Sequence, residues 1–413
     1  MITIKKEGTY IVSGTLKGQL AIKLKSKSKK KYNITLVLKG VDIYCGVAPG
    51  VIFYKAYEMD NTNYEDKGIK IEFSKAIELN PDEAGVKIII ADDSDNTVSG
   101  SHVAEFYDYV KKDDGTITML PEDYIEENYN GVIIEGAKFD GAFYSRVSMS
   151  IYGEKKGNGI LNIIGDNEGL DSEKHLIILG GNINIASQDD GINTNNDGGS
   201  VVLIKGGNVK INGGLDAGDG IDSNGYLIIQ NGTVISAGSK TKYGLNADLG
   251  VSIKGGIVKG VGSIQPWEDK ESNQQILHLR FSSEIPKTRK LYVKDSSGKI
   301  IISFNPSASR FIPGTEARGY MGAIISHPSL ELNKVYYLYL GNIPLHARPS
   351  SDRYREETPR LISSVESIPT ELNLISKIST FDVYYVNNVN TESSSSKVCF
   401  SFINWFAFLI ILF

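Results

Sequence analysis

A five-residue phrase is written four times in the middle of the chain, and it restricts the fold more than any other feature. It reads E-G-L-D-S at 168–172, D-G-I-N-T at 190–194, D-G-I-D-S at 219–223 and Y-G-L-N-A at 243–247. Its glycines stand at 169, 191, 220 and 244, in steps of 22, 29 and 24. A second marker, Gly180-Gly181, Gly206-Gly207, Asn231-Gly232 and Gly255-Gly256, advances in steps of 26, 25 and 24. Two markers sharing one period imply a solenoid. A unit this short cannot bury an apolar face alone, but stacked units share one core.

Between the markers the sequence reads as strand. Alignment on the glycine pairs puts Leu176, Val202, Leu227 and Val251 in one column and Ile178, Ile204, Ile229 and Ile253 in another. Ile183, Val209, Val234 and Val258 form a third, and Leu170, Ile192, Ile221 and Leu245 a fourth. β-Branched and leucine side chains at period two, with glycine-rich corners, predict three short strands per coil. No segment here has the apolar spacing of an amphipathic helix. The expected fold is all-β, a right-handed parallel β-helix with a small antiparallel C-terminal cap. A WD-type propeller needs about 40 residues per blade, so the period excludes it.

The repeat extends upstream through G-A-F-Y-S (141–145), which sets Phe143 over Leu170, Tyr144 over Asp171 and Ser145 over Ser172. The expected organisation is a β-helix over 1–264, with regular coils from 136, a β-rich cap over 265–342, a polar stalk over 343–397 and an apolar tail over 398–413.

Acids recur at fixed places in the phrase. If the aliphatic residue after each glycine points inward, the next points outward, so Asp171, Asn193, Asp222 and Asn246 form an outer ladder headed by Tyr144. Glu168, Asp190 and Asp219 precede the glycines, with Asp189 one step earlier. Equivalent residues on stacked parallel strands lie about 4.8 Å apart. Two carboxylates at that separation repel by roughly 3.5 kcal/mol at an effective dielectric of about 20. A hard cation reverses that sign, and every ligand offered is oxygen, so calcium is the expected cofactor. Glu168, Asp171, Asp189, Asp190 and Asn193 make the best-populated site, and Asp219 and Asp222 against Asp190 and Asn193 a second. The competing reading is structural, since Asn and Asp suit tight corners. Asp92, Asp93 and Asp95 lack the later residues of an EF-hand loop and read as a turn.

Composition excludes other classes. The net charge is −5 over 413 residues, without the basic face that nucleic acid requires. The one basic run, Lys25 to Lys31, lies between alternating apolar stretches and reads as a solvated hairpin loop. Cys45 and Cys399 are too far apart in sequence and too few for a disulfide framework or a thiolate zinc site, and the five histidines are scattered. The N-terminus begins directly in strand-like alternation with no signal peptide visible, and a truncated N-terminus is the expected explanation. Val398 to Phe413 is uncharged and reaches about 24 Å as a helix, short of a roughly 30 Å hydrocarbon core. Small polar residues ahead of it suggest a lipid-anchor signal, with a short tail anchor as the rival. Membrane attachment through that tail and extracellular, cell-surface display are therefore expected. A monomer is the expected state.

The chain also resembles the calcium-dependent, β-helical carbohydrate-binding proteins first described from a cellulose-degrading clostridium. The resemblance runs from about Gly8 to Gly341. It is carried by G-T-Y-I-V-S-G-T-L (8–16), N-I-T-L-V-L-K-G-V (33–41), the G-A-F-Y-S and D-G-I-D-S coils, and K-D-S-S-G-K-I-I-I-S-F (294–304). It implies extracellular display, bound calcium, and binding of cellulose and of acidic, pectin-like polygalacturonate. A similarity to the family-nine pectate lyases sets Glu168 and the Asp189-Asp190-Asn193 run on that family's calcium pocket. Asn193 departs from that pattern by replacing a charged ligand with a neutral one. The leading expectation is thus a binding module, with Tyr144, Lys174, Tyr226 and Tyr243 as sugar contacts. A calcium-assisted lyase using Lys174, Lys240 or Lys242 as base is the alternative, and a structural wall protein with calcium-stapled coils the third.

Overall fold

The computed structural model describes the chain except for residues 25–33, 58–69, 104–108, 112–116, 120–131, 135–138, 215–216, 287–288, 305–318, 361–367 and 385–413. The basic run and the apolar tail therefore lie outside the described residues. What is described is nearly all β, with one short helix, Phe73–Ile77, and one 3-10 turn, Pro81–Glu83.

Parallel strands stack in three columns. The first runs Ile2–Ile4, Leu20–Lys23, Val51–Lys55, Gly141–Ser145, Glu168–Ser172, Ile192–Thr194 and Ile221–Ser223. A second carries Met149–Gly153, Leu176–Ile178, Val201–Ile204, Tyr226–Ile229 and Gly250–Ile253. The third carries Ile160–Gly165, Asn182–Ala186, Asn208–Asn212, Thr233–Ala237 and Ile257–Gly262. Every apolar column expected from the sequence has the expected register, and its side chains are buried: Leu176 with Val202, Leu227 and Val251; Ile183 with Val209, Val234 and Val258. Burying each such side chain contributes about 1.5–3 kcal/mol, and a single core runs the length of the stack.

Glycine recurs because the coils touch there. A Cβ on Gly191 would lie 2.6 Å from the Gly220 carbonyl oxygen, and one on Gly220 2.6 Å from that of Gly244. Those carbonyls accept the inter-coil bonds from Ile192 (3.1 Å) and Ile221 (3.2 Å). The glycine-pair corners have a different cause, since Gly207 sits at φ 85° and Gly232 at φ 95°, a left-handed backbone that glycine adopts without a steric penalty.

Two additions were not expected. The helix Phe73–Ile77 lies on the second column's outer face, where Ala76 and Phe73 pack with Ile177, Val201, Leu203 and Ile228. Its five residues give too short a periodic signal to read. Furthermore, the polar stretch after residue 343 is not a stalk up to Tyr384. Ile378–Tyr384 pairs in parallel with Ile276–Ile285, and His346–Ser350 pairs antiparallel with Ile378–Tyr384. The cap therefore continues to residue 384. It is pinned by Arg280, whose buried guanidinium meets Asp382 Oδ1 at 2.9 Å and donates to the carbonyls of Asp352 (2.9 Å) and Arg355 (3.3 Å). A second sheet of Leu291–Asp295, Ile300–Phe304, Val335–Leu340, Ile343–Pro344 and Glu371–Asn373 completes the cap.

Two outcomes follow for stability. Gly220→Ala should cost about 1–3 kcal/mol in urea unfolding, by forcing adjacent coils apart. Asp382→Ala, which leaves the Arg280 charge buried without its partner, should cost about 3–5 kcal/mol.

Candidate functional site: an acidic ladder on the first column

The ladder has the predicted register. Tyr144 pairs with Asp171, Asp171 with Asn193, and Asn193 with Asp222. A bridge between Ile221 and Leu245 brings Asn246 next in line. Its exposure differs from expectation. Asp171 is 0% exposed, Asn193 9% and Glu168 6%, so this part of the outer face is covered rather than open.

Within the cover, no cation is among the charges that act on Glu168 and Asp171. Asn193 Nδ2 donates to Glu168 Oε1 at 2.7 Å, and Asn195 Nδ2 donates to Asp171 Oδ1 at 2.9 Å. Glu168 Oε2, Asp171 Oδ2 and Asn193 Oδ1 are buried without a hydrogen-bond partner. Such orphaned oxygens are costly, and more so for charged groups. One coil on, Asp190, Asp219 and Asp222 each offer an oxygen within 4.8 Å of the others. Asp190 Oδ1 accepts from the Asp219 backbone N–H at 2.6 Å, while the Tyr243 N–H donates to Asp219 Oδ1. Asn246 Nδ2 reaches both Asp219 Oδ2 and Asp222 Oδ1 at 3.2 Å.

The electrostatics follow from this crowding. Burial, then the Asp171 charge, holds Glu168 well above the usual carboxylate range. Burial, then Asp140 and Glu173, does the same to Asp171. Asp190 is pushed up to about 8 by burial and then by Asp222 and Glu168. Asp222 is pushed up to about 6 by burial and then by Asp219. Burial also raises Asp219, against the Tyr243 N–H and the Lys242 ammonium. The donor set is all hard oxygen, so these residues fit a divalent cation such as calcium.

The other expected contacts scatter. Tyr144 was expected to be exposed but is 2% exposed, covered by Phe139 with ring centroids 5.0 Å apart, and its hydroxyl donates to Glu173. Its place as a free stacking ring is therefore corrected. Tyr226 belongs to the second column and meets Phe73 edge-on at 5.3 Å, so it is not brought to the ladder. Tyr243 does adjoin the acids, and its hydroxyl reaches Glu356 at 3.4 Å. Lys174 is half-buried and bears on buried His175, whose pKa is lowered by burial first and then by the Lys174 charge. Lys240 pairs with Glu284 at 3.0 Å. Of the three lysines, Lys242 bears on both Asp219 and Asp222. Asp189 is half-exposed, its carbonyl accepting from Gly214 N–H at 2.6 Å, and its charge adds to the rise at Glu168 and Asp219.

Sequence reasoning missed Asp140 and Glu173. The Asp140 charge acts on both Glu168 and Asp171. The dipeptide Asp140-Gly141 carried the signal, but it is one residue out of phase with the later Asp-Gly pairs. Gly141 is needed here, because a Cβ on it would come within 2.7 Å of Asp171 Cβ.

A pH dependence follows. Folded Asp222 and Asp190 hold protons at pH values where an unfolded aspartate, with a pKa of about 3.9, has released them. The stability they contribute to metal-free protein is full below about pH 4 and is lost as pH rises through about 6 and about 8. The melting temperature in chelator should fall across this window, and Asp190→Asn should flatten the upper part of the curve.

A family model described as "Carbohydrate-binding domain-containing protein" matches residues 50–276, more than half of the chain. A solved structure, "Structure of the polysaccharide lyase-like protein from C. thermocellum, Gadolinium derivative", is similar at 24% identity, over 62% of this chain and 82% of that one, with a TM-score of 0.35. No curated protein matches. Because that model spans more than half of the sequence, the chain belongs to the carbohydrate-binding domain-containing family.

Proposed function

We propose that this chain is a calcium-dependent polysaccharide-binding protein, displayed at the cell surface, that takes acidic, pectin-like polyuronate on the ladder of the first column. In this reading the stack is a right-handed β-helix with three strands per coil, the hand that parallel crossovers adopt almost without exception. The carrying observation is the buried pair Glu168 and Asp171, which bear on each other with no cation among the charges that act on them.

Glu168, Asp171, Asp190, Asp219 and Asp222 would hold calcium, with Asp189, Asn193 and Asn246 at the margin. Calcium would supply positive charge to offset the carboxylates and open positions for uronate oxygens. Asn193 and Asn246 now turn their amide nitrogens toward acids. Ligation would require each amide to rotate and present oxygen, an exchange of little steric cost. Tyr243 and Lys242, beside Asp219, suit a sugar ring and its carboxylate. Cellulose is the second polymer of this reading. A single chain acting alone and attachment through residues 398–413 belong to it as well. Among the described residues no helix is long and apolar enough to cross a membrane.

Lys242 also supports a second reading, a calcium-assisted lyase, because a lyase needs a basic side chain near the bound uronate. A purely structural role would use the same cation only to staple coils.

Retention on immobilised polygalacturonate separates these. Binding is expected with calcium, should be lost in chelator, and should drop at least tenfold in the Asp190→Asn/Asp222→Asn variant. Ultraviolet absorbance from unsaturated product would establish the lyase. A calcium-dependent melting temperature without retention would establish the structural role. Retention indifferent to both chelator and the double variant would overturn the ladder as the site.

A further inference from the structure

The corner joining the second column to the third is written alike in successive coils, with one exception. Gly180-Gly181, Gly206-Gly207 and Gly255-Gly256 have glycine at both positions, and Asn231-Gly232 does not. Glycine suits the first position because the coils touch there. A Cβ on Gly206 would lie 2.6 Å from the Leu179 carbonyl oxygen, and one on Gly255 2.7 Å from that of Gln230. Asn231 therefore goes against the steric rule of its own row, and packing does not explain it.

The residues that follow supply a reason. Asn231-Gly232-Thr233 is an Asn-x-Thr run without proline, the acceptor pattern for N-linked glycosylation. Asn231 is exposed. Its Oδ1 accepts from the Gly232 backbone N–H at 2.8 Å, while Nδ2, the nitrogen a glycan takes, has no hydrogen-bond partner among the described residues. A turn role accounts for the oxygen alone, and aspartate would serve it as well. The stacked corners on either side carry Gly206 and Gly255, so a bulky group on Nδ2 meets no side chain in its row. The corner also lies between Tyr226–Ile229 and Thr233–Ala237, the one corner that the first column does not adjoin. A glycan there leaves the face of the acidic ladder clear.

We propose that Asn231 is a modification site that takes an N-linked oligosaccharide on the corner opposite the ladder. This rests on cell-surface display, which takes the chain through a compartment where such transfer occurs. In the transfer Nδ2 gives up a proton and bonds to the anomeric carbon of an oligosaccharide carried on a polyprenyl diphosphate. The bond from that carbon to the diphosphate oxygen breaks, and the lipid diphosphate leaves with the electron pair. Thr233 N–H donates to the Gly207 carbonyl at 2.8 Å in the folded stack, so transfer precedes the docking of this coil on the one before.

The test is synthesis of the full chain, led by a cleavable signal peptide, with glycosylating microsomes. The other acceptor run, Asn33-Ile34-Thr35, is removed from every sample by Asn33→Gln. The added signal carries the chain across the membrane, so the outcome at Asn231 is independent of the cell-surface reading. The imported chain is expected to gain the mass of one oligosaccharide, lost again on peptide-N-glycosidase treatment. Asn231→Asp, which keeps the turn oxygen, and Thr233→Ala should abolish the gain, and Thr233→Ser should keep it. Protein with and without the glycan should share one melting temperature and one level of retention on polygalacturonate. No gain in the imported chain, a gain that survives in Asn231→Asp, or a glycan that lowers the melting temperature overturns the proposal. Retention absent from both forms would instead remove the ladder's reading and leave Asn231 assigned.

Discussion

Parallel strands stack at about 4.8 Å, and in a solenoid that spacing dictates every neighbour. A residue placed at one position of a coil must meet its equivalent in the next. For Leu170, Ile192, Ile221 and Leu245 this yields a continuous core. For Gly169, Gly191 and Gly220 it yields backbones too close for any side chain. For Asp171, Asn193 and Asp222 it yields carboxylates and amides stacked without choice. One constraint therefore produces both the stability of the stack and its electrostatic problem.

That constraint also explains what the sequence made legible. Period and register could be read because each repeat reports the same geometry, and four aligned columns leave no freedom to shift one coil. Cover was not legible. Tyr144 and Asp171 stand on the outer face, yet Phe139, from a segment outside the repeats, buries Tyr144. Asp140 belongs to the same irregular approach, so its phase gave no warning. The limits of the cap were hidden for a related reason. Ile378–Tyr384 finds its partner in Ile276–Ile285, about a hundred positions earlier, and the polar sequence around it hides a short strand that is itself mostly buried.

The acidic ladder and the cap sheet belong to different sheet types. The ladder is a product of parallel stacking, where like meets like and charge accumulates. The cap sheet is antiparallel, where unlike residues face one another and Lys294 can settle opposite Tyr337. A polyanion needs the first kind of surface with a cation between them.

The pairing of Ile276–Ile285 with Ile378–Tyr384 bears on how the polypeptide matures. Coils contact only adjacent coils, so each can settle as it leaves the ribosome. The strand 276–285 has no such local option on that side, because its companion is synthesised last of all the described strands. Until then Arg280 waits without Asp382, and the open edge beside it is available to any strand that arrives first. The final described strand thus acts as a clasp, and the interval before it closes is when a nascent chain is most exposed to mispairing.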